Sequence, residues 1–143
     1  VQGAINFGDG AGSYIYRSGD SGFGAPDAYV DNNGDLETIE SYAGTLGVAA
    51  NVGPGTLNVG YGFAETDWDD ADAEFGVNPD PDAEGARFMD ARHETNSNMF
   101  VNYQISPMEN VMVGVEFARF EVEQFDGQDG DANRVMFATQ YSF

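Results

Sequence analysis

The chain closes on Asn133-Arg134-Val135-Met136-Phe137-Ala138-Thr139-Gln140-Tyr141-Ser142-Phe143, where Val135, Phe137, Thr139, Tyr141 and Phe143 alternate with Arg134, Met136, Ala138, Gln140 and Ser142. Successive side chains of a β-strand point to opposite faces, so a period of two predicts a strand with one apolar face and one polar or small face. In a soluble sandwich the apolar face would be core. In a membrane barrel it would meet lipid. The stretch is too short to choose by itself, and the choice comes from the sequence upstream of it.

The same alternation recurs four times. Between Leu36 and Val52, one parity carries Tyr42, Leu46, Val48, Ala50 and Val52 and the other Ser41, Ala43, Thr45, Gly47, Ala49 and Asn51. Gly53-Pro54-Gly55 supplies a tight turn, because Pro fixes φ and glycine accepts positive φ. Leu57, Val59, Tyr61 and Phe63 then form an apolar face in a strand that runs on to Trp68. After an acidic stretch, Met99, Val101, Tyr103 and Ile105 alternate with Asn96, Asn98, Asn102 and Gln104, with Phe100 as an apolar intruder on the polar parity. Ser106-Pro107-Met108-Glu109 is a second short turn, and Val111, Val113, Val115 and Phe117 continue beyond it. Val1, Ile5 and Phe7 give one more strand at the start, and Ser13 to Arg17 could extend its pairing.

Six antiparallel strands result, and their connections alternate in length. Those at 53–55 and 106–109 are short, whereas those at 8–35, 69–93 and 124–132 are long and acidic. Outer-membrane barrels have short periplasmic turns and longer extracellular loops, so the acidic loops are expected outside and the C-terminus in the periplasm. The expected fold class is therefore all-β, an antiparallel up-and-down transmembrane barrel, with residues 1–143 as a single segment of it. Six strands cannot close, since the smallest bacterial form has eight and an open edge in lipid leaves backbone groups unpaired. Either the chain is a piece of a larger barrel or residues 8–35 supply two more strands.

Composition agrees with this assignment and removes other classes. The mean hydropathy is -0.39 with 19 glycines, and no apolar run approaches the ~20 residues of a spanning helix. Alternating barrels escape that test because lumen-facing and lipid-facing residues average out. There is no cysteine, so no disulfide and no thiolate zinc site. No basic and apolar leader opens the chain, so a secretory signal has been removed or was not part of this segment. With 25 acids against five arginines and a formal charge of -20, a basic patch for nucleic acid or an anionic bilayer is excluded. His93 is the only histidine and has no cysteine or serine partner for a nucleophilic triad. Gly8 to Ser13 lacks the third glycine and the βαβ context of a dinucleotide loop. No enzyme is expected.

Side-chain parity nominates the functional residues. Asn96, Asn98, Asn102, Gln104, Glu116, Arg134 and Gln140 share the polar parity and are expected to line a pore, with Glu116 and Arg134 on neighbouring strands and able to pair. Arg119 falls on the opposite parity near the loop end, at a rim or a subunit contact. Tyr42, Tyr61, Phe63, Phe117 and Tyr141 are expected toward strand ends on the apolar face, where amphipathic rings suit the headgroup boundary. Asp67, Asp69, Asp70, Asp72 and Glu74 form one oxygen cluster and Asp126, Asp129 and Asp131 another. Neither has EF-hand spacing. Weak Ca²⁺ binding or bridging of lipopolysaccharide phosphates stands against a solvated acidic surface, and no other cofactor is expected.

The C-terminal face of Val135, Phe137, Thr139, Tyr141 and Phe143 looks like the signal read by the barrel-assembly machinery. From Leu36 onward the residues also resemble the DcaP-like porins of Gram-negative bacteria. The resemblance rests on Gly34-Asp35-Leu36-Glu37-Thr38, on Ser106-Pro107 with Asn110-Val111 and Gly114-Val115-Glu116-Phe117, and on Gly130 to Phe137 with Gln140-Tyr141-Ser142-Phe143. Gly8 to Ile15 is similar to that family's glycine-rich loop entry. It covers most of this chain but only the C-terminal part of such a porin. It implies a barrel of about sixteen strands, a homotrimer in the outer membrane, and passage of small organic acids. The alternatives are an envelope β-protein with a structural or adhesive role and no pore, and a soluble calcium-binding β-sandwich.

Overall fold

A computed structural model describes residues 1–15, 26–75, 92–125 and 127–143. Strands β1 (Gln2–Asp9), β4 (Glu40–Val52), β5 (Gly55–Thr66), β6 (His93–Met108), β7 (Val111–Gln124) and β8 (Asp129–Tyr141) form one six-stranded sheet. Their spatial order is their chain order, and every neighbouring pair is antiparallel. The up-and-down series expected from the alternation is present, with β1 and β8 as its edges. Between β1 and β4 lie α1 (Gly12–Ile15) and a small hairpin of β2 (Ala28–Val30) and β3 (Leu36–Thr38), and α2 (Asp69–Phe75) follows β5.

Register fixes the two faces. Leu46 lies opposite Tyr61, Val59 opposite Val101, Val101 opposite Phe117, and Phe117 opposite Val135, so one apolar surface runs across β4 to β8. Much of it is open to the surroundings; Leu46 is 57% and Phe137 82% exposed. Among the described residues the only other sheet is the β2–β3 hairpin. No second sheet covers the apolar face, which overturns the soluble-sandwich alternative.

The turns differ from the sequence expectation in informative ways. Gly53 and Pro54 alone connect β4 to β5, with positive φ (58°) at Gly53 and a negative φ imposed by Pro54, the pattern of a II′ hairpin loop. The second short turn is Glu109-Asn110 rather than 106–109. β6 continues through Pro107 to Met108 because the ladder shifts register between Ile105 and Met108, and a bulge tolerates a residue with no N–H to donate. Strand β8 starts at Asp129, four residues before Asn133, and the connection that precedes it is correspondingly shorter than 124–132. β7 runs to Gln124, and pairing of Glu123 with Asp129 and Glu121 with Asp131 continues the ladder through acidic residues whose side chains stay solvated. Phe143 lies past the end of β8 and stacks on Tyr141 at 6.4 Å between ring centres.

The segment 8–35 does not add strands to the main sheet: β2 pairs only with β3. Residues 12–15 are helical instead of extending β1, and Arg17 lies outside the described residues. The apolar residues of the loop end gather into a small core of Tyr29, Ile39, Trp68 and Ala71, with Phe75 and Phe125 packed against it. Strand β5 stops at Thr66, freeing Trp68 to turn into this core, where its indole N–H donates to the His93 carbonyl (3.1 Å) and Arg92 lies over its ring. Burial holds the Arg92 guanidinium pKa below its ordinary value.

Candidate functional site

The polar faces of the six strands form one continuous surface. Gly47 opposes Gln2 and Gly60, Asn58 opposes Asn102, Asn102 opposes Glu116, and Ala118 opposes Arg134. Four of the seven nominated residues meet in a hydrogen-bonded ladder that crosses β5 to β8. Asn58 Nδ2 donates to Asn102 Oδ1 (2.7 Å), Gln104 Nε2 donates to the same oxygen (3.4 Å), and Asn102 Nδ2 donates to Glu116 Oε2 (3.2 Å). Arg134 Nη2 completes it with an ion pair to Glu116 Oε1 at 3.3 Å. The guanidinium also lies over the Phe120 ring, 4.9 Å from its centre, a geometry favourable for cation–π attraction.

Asn96 and Asn98 lie on the same face nearer the loops, opposite Ala64 and Gly62. Gln140 lies apart, opposite Met112 near the short-turn end. Asn58 was legible in the sequence as a polar-parity residue of β5. Phe120 carries the same parity signal on β7, in a stretch beyond the residues read as strand. Phe100, the intruder, is seated across the sheet on Gly60, where any Cβ would collide with its ring. An aromatic ring thus fills the space a missing side chain leaves, as Phe63 does over Gly44 on the apolar face.

The loop end narrows this surface. Gly8 faces the polar side opposite Ser41, and a Cβ there would come within 2.7 Å of Ala11 Cβ and 3.7 Å of Ile15 Cδ1. Helix α1 therefore folds over the polar face instead of projecting away from it. It is anchored by Asp27, whose carboxylate accepts from Ser13 N (2.8 Å) and Ser13 Oγ (2.9 Å). Beneath it lies a groove of about 760 Å³ lined by Asn6, Ile15, Thr45, Asn96, Asn98 and Phe120 among others.

On the apolar face, Tyr42 and Phe63 stand edge-to-face at 6.3 Å toward the loop end, and Tyr141 sits at the opposite end. Tyr61 and Phe117 are mid-strand and not terminal, in the case of Phe117 because β7 continues to Gln124. Val135, Phe137, Thr139 and Tyr141 share the odd parity of β8 on this face. Arg119 is held at the loop end of it by Glu121 (2.8 Å) and Asp131 (3.7 Å). Among the described residues no group of three acids is arranged to hold a metal ion. Asp69, Asp70 and Asp72 occupy the first turn of α2, where its dipole favours them. Asp129 and Asp131 are strand residues, and Asp126 lies outside the described residues.

This surface has a solved counterpart. The outer membrane channel DcaP of Acinetobacter baumannii matches 82% of this chain with a TM-score of 0.62 at 23% sequence identity. The fold is that of an outer-membrane barrel section. The chain spans 30% of the length of that channel, so its six strands account for part of such a barrel. No protein-family profile matches the chain, and no curated protein sequence is similar to it.

Proposed function

We propose that the chain forms part of the wall of an outer-membrane porin, a passive channel for small hydrophilic solutes. The observation that carries this is the register: over six consecutive strands it puts amides, glycines, Glu116 and Arg134 on one face and an exposed apolar surface on the other. Such a sheet is stable where lipid meets the second face and water the first. Asn96, Asn98, Asn102, Gln104, Glu116, Arg134 and Gln140 then line the lumen, and α1 narrows it from the loop end.

In this assignment the loops are extracellular and Phe143 is periplasmic, because the connections at 53–54 and 109–110 are the short ones. Val135, Phe137, Thr139, Tyr141 and Phe143 serve as the assembly signal. Outer-membrane lipid, lipopolysaccharide, the barrel-assembly machinery and two further copies in a trimer are the partners, and weak divalent-cation bridging belongs at the acidic loops. The family resemblance adds small organic acids as a solute class. Reconstitution of the full-length protein into planar bilayers and liposomes tests the channel: stepwise conductance and solute-dependent swelling are expected, and a folded, membrane-inserted protein with neither would refute it.

A further inference from the structure

The charges on the polar face decide a narrower question, which rests on the channel reading. From Asn96 to the short-turn end, the registered strand residues on that face include one carboxylate, Glu116, and one guanidinium, Arg134, among the described residues. The two are bonded to each other at 3.3 Å. Both Glu116 oxygens are engaged, one by Arg134 and the other by Asn102. Arg134 is further held over Phe120. An anion approaching the guanidinium meets a carboxylate at nearly the same distance, so beyond a few ångströms attraction and repulsion cancel. What remains along the wall is amide, and each amide offers a donor and an acceptor together, the complement of a hydroxyl group.

We propose that this wall takes uncharged, hydroxyl-rich solutes such as small sugars, and that Glu116 and Arg134 form a self-neutralised pair rather than a carboxylate-binding station. The organic-acid class implied by resemblance would need a cation whose charge is not spent within the wall.

The test compares the full-length wild type with E116Q, R134Q and E116Q/R134Q, reading reversal potentials in a salt gradient and liposome swelling with arabinose and glutarate. The loop acids are common to all four proteins, so differences among them report the pair. One uncompensated charge ~6 Å from the ion path at ~0.1 M salt changes the local concentration of an ion about twofold. E116Q is therefore expected to shift selectivity toward anions and raise glutarate flux about twofold, R134Q to do the reverse, and the double variant to return to wild type. Arabinose flux is expected to stay unchanged throughout. E116Q is isosteric and carries the test with the double variant should R134Q not assemble. A double variant that stays shifted away from anions relative to wild type, with E116Q indistinguishable from wild type, would assign Arg134 as an anion station and overturn the proposal while leaving the channel intact. Absence of conductance and swelling in the wild type overturns both.

Discussion

Truncating Ile39 to alanine probes the part of the structure that shapes the loop end. Ile39 is 2% exposed in the core with Tyr29, Trp68 and Ala71, and its backbone ties three segments together: its N–H donates to the Asp27 carbonyl and its carbonyl accepts from Gly10. Ile→Ala removes three buried carbons, about 2.4 kcal/mol at ~0.8 kcal/mol per methylene, before any cavity cost. Phe75 and Phe125 are only partly buried and can relax into the space, so a loss of about 2–3 kcal/mol is expected rather than the upper end of the range. Trp68 is the only tryptophan, and at 1% exposure its emission reports this core directly. In detergent-folded protein, urea should red-shift Trp68 emission at a lower midpoint in Ile39→Ala while the far-UV signal of the sheet holds to higher denaturant. Leu36→Ala, at a 71% exposed position, should move that midpoint by less than ~0.5 kcal/mol. Equal midpoints for Ile39→Ala and wild type would refute the packing of the cap.

Three further outcomes follow from the faces and the loop anchors. Val115→Arg sets a charge in mid-strand on the apolar face between Tyr103 and Phe137, and should cost about 2–4 kcal/mol and most of the refolding yield into vesicles, whereas Ala138→Arg on the polar face should refold like wild type; equal yields would mean the faces are reversed or unused. Asp27→Ala removes both acceptors that hold Ser13, a local loss of about 1–3 kcal/mol, and should increase single-channel conductance as α1 lifts from the polar face; an unchanged conductance would place α1 outside the ion path. The Asp31 carboxyl is held below its ordinary pKa chiefly by the Asn33 side-chain amide, then by backbone N–H groups led by Asp35. Because the folded value is the lower one, this contribution is complete above the unfolded carboxylate pKa and is lost as pH falls through the folded value. A carboxyl NMR titration should show Asp31 ionising below a typical aspartate while the β2–β3 turn loosens, and an ordinary or raised pKa would contradict the turn geometry.

Much of the sheet was legible because the period-two signal is local. Each residue's face follows from its neighbours two positions away, so β4 to β8 and the membership of both faces could be read without knowing what pairs with what. Boundaries were less legible. The acidic stretch 129–132 carries no apolar alternation, yet it is strand, since the backbone of β7 offers a ladder to Gln124 and an exposed carboxylate does not oppose pairing. Conversely, Ser106-Pro107 carries a turn composition but sits in a strand, because the bulge absorbs the missing N–H.

The sequence by itself determined strand number, parity, turn asymmetry and the absence of a basic or thiol chemistry, all of which are properties of near neighbours and of composition. Only the tertiary structure decided that Asn58, Asn102, Glu116 and Arg134 form one ladder, that Phe100 and Phe120 sit on the polar face as they do, and that α1 folds over that face. Those contacts join residues 14 to 44 positions apart. They depend on cross-strand register and loop packing, which are set by hydrogen bonding and burial summed over whole strands and are carried by no single stretch of sequence.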